Sequence, residues 1–141
     1  MTRIAVRGYH EDRFGHVNNA RYLEFLEEGR WDYLDQNGLG DAFFREMNVF
    51  PVIVRIDISY RRAASSGDVL RVETSLSRVK SRKLIFTQRV LFESSDELCA
   101  EAGIVAVFLD ATTGRTVQIG EEMIRRCPAL AEAREHGARA E

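Results

Sequence analysis

Residues 18–36 read NNARYLEFLEEGRWDYLDQ, and this stretch decides the fold. Stepping 100° per residue puts Tyr22, Leu23, Phe25, Leu26, Gly29, Tyr33 and Leu34 on one broad face. Glu24, Glu27, Glu28, Asp32 and Asp35 fall opposite. Trp31 lies among the charged residues, so that face is expected to be partly covered. Asn18 suits the N-cap, because its side chain can accept an orphan N–H of the first turn. Asn37-Gly38 suits the stop, since both residues tolerate the left-handed conformation. One long helix, about Asn18 to Gln36, is therefore expected, followed by a short amphipathic piece, GDAFFREM.

Working outward, the pattern changes to period 2. Val54, Ile56, Ile58 and Tyr60 alternate with Arg55, Asp57 and Ser59, which predicts a strand with one buried face. Leu70, Val72, Thr74 and Leu76 alternate with Arg71, Glu73 and Ser75 in the same way. Residues 84–93 and 98–109 make two longer strands, the second small and apolar on both faces and so expected inside the sheet. Gly67-Asp68 and residues 94–97 supply turns. Residues 3–9 read as a first strand, and Pro51 as the opening of the second. The tail from Gly120 reads as helical, with about the last ten residues frayed. A strand, a helix and four strands on short turns make an antiparallel meander with the helix across its apolar face. The expectation is one α+β domain over 1–141.

The chain has 141 residues, 45% hydrophobic and 30% charged, which suits a single globular domain and argues against disorder. Its formal net charge of −2 argues against a general nucleic-acid binder. No apolar run approaches a membrane span, and MTRIAVRGYHEDR has no signal-peptide core. Cys99 and Cys127 have no CxxC or metal-ligand neighbour, so both read as reduced, inert thiols of a cytoplasmic protein.

The chemically dense segment is His10 to Asn19, which holds His10, Glu11, Asp12, His16, Asn18 and Asn19. It ends at a helix start, where unpaired N–H groups favour negative charge and can polarise a carbonyl. A carboxylate a few residues earlier can activate water or attack directly. Gly15 allows close backbone approach to a ligand. Together these suit hydrolysis of an activated ester. The same residues have plain structural uses: Asp12 can cap a turn, Asn18 a helix, and His16 can be a hydrogen-bonded structural side chain. His10 and His16 lack a third ligand at metal spacing. No G-x-S-x-G, P-loop or dinucleotide glycine pattern occurs.

Asp12 to Tyr22, DRFGHVNNARY, followed by FLEEGR at 25–30, resembles the D-x-x-G-H-V-N-N-x-x-Y…F-x-E-x-x-R segment of hotdog-fold acyl-CoA thioesterases of the 4-hydroxybenzoyl-CoA thioesterase type. Residues 58–72 and 78–92 extend the resemblance over nearly the whole chain. It implies a hotdog fold, a curved antiparallel sheet of about five strands wrapped around one long central helix. It implies hydrolysis of acyl-CoA to free acid and coenzyme A without a metal or other cofactor. Asp12 would be the catalytic carboxylate, the Asn19 backbone N–H the carbonyl polariser, and His16 a residue orienting the loop or a water. Arg82 and Lys83 would meet the nucleotide phosphates, with Arg61 and Arg62 as a second basic pair. Beside the resemblance, Phe14 could line a substrate pocket or equally be core, and Tyr22, at the centre of the apolar arc, reads as a core residue or pocket wall and not as an acid. Glu27 and Glu28, which another branch uses on its helix, are assigned to structure. A homodimer or homotetramer is implied. A carrier-protein thioesterase and a non-catalytic acyl-CoA-binding module stay open beside the hydrolase.

Overall fold

The computed structural model describes residues 1–140, with side chains through Glu135. The long helix α1 spans Arg21–Gln36. It begins later than Asn18 because Asn18 serves the turn ahead of it. Its Oδ1 accepts from the Ala20 N–H at 2.9 Å, and its carbonyl accepts from Arg21 at 2.9 Å. The strands are β1 (Thr2–Ala5), β2 (Val49–Tyr60), β3 (Val69–Val79), β4 (Leu84–Phe92) and β5 (Leu98–Asp110). β1 is shorter than the sequence suggested, and the chain then folds into a 3-10 turn at Gly8–His10.

The five strands form one antiparallel sheet in the order β1-β3-β4-β5-β2. This corrects the simple meander. β3, β4 and β5 are consecutive neighbours, but β2 lies beside β5. The place next to β3 is taken by β1, in register from Thr2 opposite Val72 to Ala5 opposite Val69. β5 is internal, as its two-sided apolar composition implied. β2 is an edge, which explains why Pro51 is tolerated inside it rather than at its start. The face expected to be buried on β2 is only partly covered among the described residues: Ile56 and Ile58 are half-buried, but Val54 is 55% and Tyr60 47% exposed.

The chain forms two compact units. The first joins Met1–Tyr33, Ile58–Thr74 and Gln88–Ala102. Here α1 approaches the sheet closely at Gly29, where a Cβ would fall 2.6 Å from Val72 Cγ1 and 3.1 Å from Gln88 Nε2. Glycine costs about 1 kcal/mol of helix propensity against alanine, and this contact is what it permits. Gln88 is fully buried beneath the helix, donating to the Leu26 carbonyl and the Thr74 hydroxyl, both at 2.9 Å.

The second unit joins Leu34–Asp57, Ser75–Thr87 and the residues from Gly103 on. Its short helix α2 (Asp41–Met47) ends at Asn48 in the left-handed conformation, φ 54°. The Asn48 carbonyl accepts from Ala111, and its side chain donates to Thr112. Phe43 and Phe44 pack on Phe108 with ring centroids 6.0 and 6.3 Å away. The tail is helical, as α3 (Glu121–Arg126) and α4 (Pro128–Ala140). Glu141 and the side chains of 136–140, on which the expected fraying partly falls, lie outside the described residues. Among the described residues no helix is long and apolar enough to cross a membrane. Cys99 and Cys127 are both free and buried.

Candidate active site

The segment between the 3-10 turn and α1 folds into a tight loop, closed by a bridge between Glu11 and Val17. Inside it the Asp12 N–H donates to the His16 carbonyl at 2.8 Å, and Gly15 donates back to the Asp12 carbonyl at 3.2 Å. Gly15 sits at φ 78°, a conformation that strains residues bearing a Cβ. The loop is pinned from outside. Val17 donates to the Ala64 carbonyl at 2.8 Å, and the Ser65 hydroxyl donates to the Gly15 carbonyl at 2.9 Å.

The two Asp12 oxygens differ in their surroundings. Oδ1 accepts from the Phe14 N–H at 2.8 Å and the His16 N–H at 3.4 Å, so the turn-capping use is present. Oδ2 has no partner among the described residues. At the helix start, Asn18 binds both ways within the turn, as described above. The Asn19 carbonyl accepts from the Tyr60 hydroxyl at 2.9 Å. The Asn19 N–H has no acceptor among the described residues.

Asp12 and Asn19 line one open pocket of about 310 Å³ together with Val17, Tyr22, Tyr60 and Arg61–Arg62–Ala63. Tyr22 is buried, with its hydroxyl 3.4 Å from Cys99 Sγ. Burial above all, and then the Cys99 contact, push the Tyr22 hydroxyl pKa far up. Burial likewise raises the Cys99 thiol. Both are therefore neutral at ordinary pH; Tyr22 forms part of the pocket wall, and Cys99 is enclosed beside it.

Arg61 pairs with Glu101 and Arg62 with Glu97, and the Arg62 guanidinium lies 5.1 Å from the Phe92 ring centroid. Both arginine side chains are more than half exposed. Such pairs are worth little, typically about 0–1 kcal/mol, so exchanging a carboxylate partner for a phosphate costs little.

The pocket does not gather every residue singled out from sequence. Phe14 is 78% exposed and is not among the lining residues; it meets Asp12 through its N–H. His16 also reaches Asp12 through its main chain. Arg82 and Lys83 belong to the second unit, in the turn between β3 and β4, where Arg82 donates to the Thr116 carbonyl at 3.1 Å. Glu27 and Glu28 line a different, larger cavity of about 480 Å³ with Arg3, Arg7 and His10, which holds neither Asp12 nor Asn19. Among the described residues no three His, Cys, Asp or Glu side chains are grouped to hold a metal ion. Sequence reading missed Tyr60 as a site residue. It saw an apolar strand position, and the one available signal was its place directly before Arg61-Arg62.

The family model for the thioesterase-like superfamily matches residues 6–127. The long-chain acyl-CoA thioesterase FadM of Escherichia coli strain K12 is 40% identical over 125 residues, covering 87% of this chain and 92% of that protein. The acyl-CoA thioesterase YbgC of Haemophilus influenzae is 38% identical over 89 residues, covering 61% of this chain and 65% of its own. The crystal structure of YbaW, a probable thioesterase from Escherichia coli, superposes with a TM-score of 0.82 at 37% identity, covering 92% of this chain and 96% of that one. The fold here is the hotdog fold of these thioesterases.

Proposed function

Because the chain belongs to the thioesterase-like superfamily, we propose that it is an acyl-CoA thioesterase whose apparatus is Asp12 and the Asn19 backbone N–H. One observation carries the site reading. A single pocket is lined both by Asp12, whose carboxylate keeps one unengaged oxygen, and by Asn19, whose main-chain N–H has no acceptor among the described residues. Asp12 Oδ2 activates a water, or itself attacks the thioester carbonyl. Either route raises an oxyanion on the carbonyl oxygen, which the Asn19 N–H and the positive end of α1 stabilise. Collapse of that intermediate breaks the C–S bond and expels the coenzyme A thiolate. In the water route this yields the free acid directly, and the proton Asp12 took from water passes to the thiolate. In the direct route it leaves an acyl–Asp12 anhydride, which a water then hydrolyses to the free acid and the restored carboxylate, its remaining proton going to the thiolate. Arg61 and Arg62, at the rim of the same pocket, are the phosphate-binding pair favoured by position. Arg82 and Lys83 add a second basic cluster.

The likeness to a long-chain acyl-CoA thioesterase favours a long acyl group. Thiol release is to be followed from acetyl, hexanoyl, palmitoyl, benzoyl and phenylacetyl esters of coenzyme A. Turnover is expected to be fastest on the palmitoyl ester. A preference for benzoyl or phenylacetyl esters would overturn the acyl assignment alone. Release no faster than the uncatalysed rate from every ester would overturn the coenzyme A reading and leave a carrier-protein ester or a binding module.

The same reading includes assembly. β2 is a free edge that exposes Phe50, Val54 and Tyr60, and pairing with β2 of a second copy would cover them. Light scattering behind size-exclusion chromatography is expected to give a dimer or tetramer mass; a monomer mass removes this part of the proposal.

A further inference from the structure

Two peptide units determine where the Asn19 N–H points. The unit between Asn18 and Asn19 carries that N–H, and its carbonyl oxygen is held by Arg21. The unit between Asn19 and Ala20 is held at both ends. Its N–H donates to Asn18 Oδ1, and its oxygen accepts from the Tyr60 hydroxyl, each at 2.9 Å. Peptide units are rigid planes, so two anchored planes leave the residue between them little torsional freedom. Every anchor but one comes from the turn itself. The exception is Tyr60, 41 residues away at the end of β2. Its ring is set by the buried Tyr22, with centroids 5.3 Å apart, and its neighbour Arg61 is tied to the Cys99 carbonyl at 2.8 Å.

We propose that Tyr60 is a positioning residue for thioester hydrolysis: by holding the Asn19 carbonyl it fixes the direction of the Asn19 N–H toward the developing oxyanion. This rests on the site reading given above. A donor of fixed direction discriminates between the neutral ground-state carbonyl and the displaced, charged oxygen of the intermediate. Losing the hydroxyl should therefore act on kcat and spare KM.

The test compares wild type, Tyr60→Phe and Asp12→Asn on the preferred acyl-CoA ester, with the melting temperature of each. Tyr60→Phe keeps the ring against Tyr22 and removes only the donor. The expected result is a kcat lowered about tenfold, below the loss typical of removing an oxyanion donor outright. KM should stay within about twofold and the melting temperature within about 2 °C. Wild-type kcat in Tyr60→Phe, with Asp12→Asn impaired, overturns the role of Tyr60 alone. A raised KM at unchanged kcat overturns it in favour of direct substrate binding. A lower melting temperature with both constants altered overturns it in favour of a structural residue. Wild-type rates in Asp12→Asn overturn the site reading, and the proposal falls with it.

Discussion

Asp12→Asn is expected to lower kcat on the preferred acyl-CoA ester by about 10²–10⁴-fold, the range for removing a positioned acid–base group. Asparagine is the informative substitution because only one Asp12 oxygen caps the turn. The side-chain oxygen that accepts from Phe14 and His16 survives in the amide, so the loop keeps its cap. What disappears is the charge and the unengaged Oδ2. The melting temperature should therefore move by no more than about 2 °C, consistent with a small change at an exposed turn. Steady-state thiol release with a melting curve checks both halves. Unchanged turnover would remove Asp12 from the chemistry. Attention would then pass to Glu27 and Glu28, the only other carboxylates the sequence offered for the role, which line another cavity. A large loss of activity with a large loss of stability would identify Asp12 as a loop cap only. Asp12→Ala, which removes the cap as well, should be less stable than Asp12→Asn by about 0.5–2 kcal/mol.

Much of the fold was legible because its elements carry strong periodic signals. α1 shows a clear apolar arc, and Tyr22, Phe25, Leu26 and Leu34 from that arc are all buried. β3 alternates, and Leu70, Val72 and Leu76 point inward as read. Strand order was not legible for β2, since alternation reports which face is apolar and says nothing of which strand lies alongside. A four-residue β1 takes the edge of β3, and that pairing links residues about 70 apart in the chain. The apolar face of β2 was read as buried for the same reason: apolar residues demand cover, but sequence does not say whether this chain or another copy supplies it. At the candidate site, the turn from His10 to Asn19 announced itself by composition and by its position before a helix. Tyr60 did not, because a hydroxyl that meets a backbone carbonyl 41 residues away leaves no local pattern. Arg30 was also hidden. It falls on a helix rich in charge, yet it is 7% exposed.

That buried arginine gives the largest expected loss of stability. The Arg30 guanidinium donates to Gln88 Oε1 at 3.1 Å, beneath the helix, with Gln88 itself fully enclosed. Burial draws the Arg30 pKa below its usual value, with Glu27 opposing, which marks the cost of keeping a cation there. A guanidinium does not escape that cost by losing its proton at ordinary pH. Gln88→Met preserves length and apolar volume but leaves the cation without its acceptor. It also takes a donor from the Leu26 carbonyl and the Thr74 hydroxyl. The expected destabilisation is about 2–4 kcal/mol, between a lost charged hydrogen bond and a broken buried ion pair. For a chain of this size that lowers the melting temperature by roughly 6–16 °C. Arg30→Met leaves only the neutral Gln88 Oε1 without its donor and should cost about 1–2 kcal/mol. The double variant decides the cause. If Gln88 exists to hold the cation, then removing both should cost at least about 1 kcal/mol less than the sum of the single losses. Strict additivity would mean that Gln88 serves the helix carbonyl and not the arginine. Gly29 belongs to the same argument: a Cβ there would fall 2.6 Å from Val72 Cγ1 and would crowd Thr74 and Gln88 beside it. The glycine, the arginine beside it and a glutamine 58 residues on therefore lie at one contact, and it seats the helix that directly follows the candidate site.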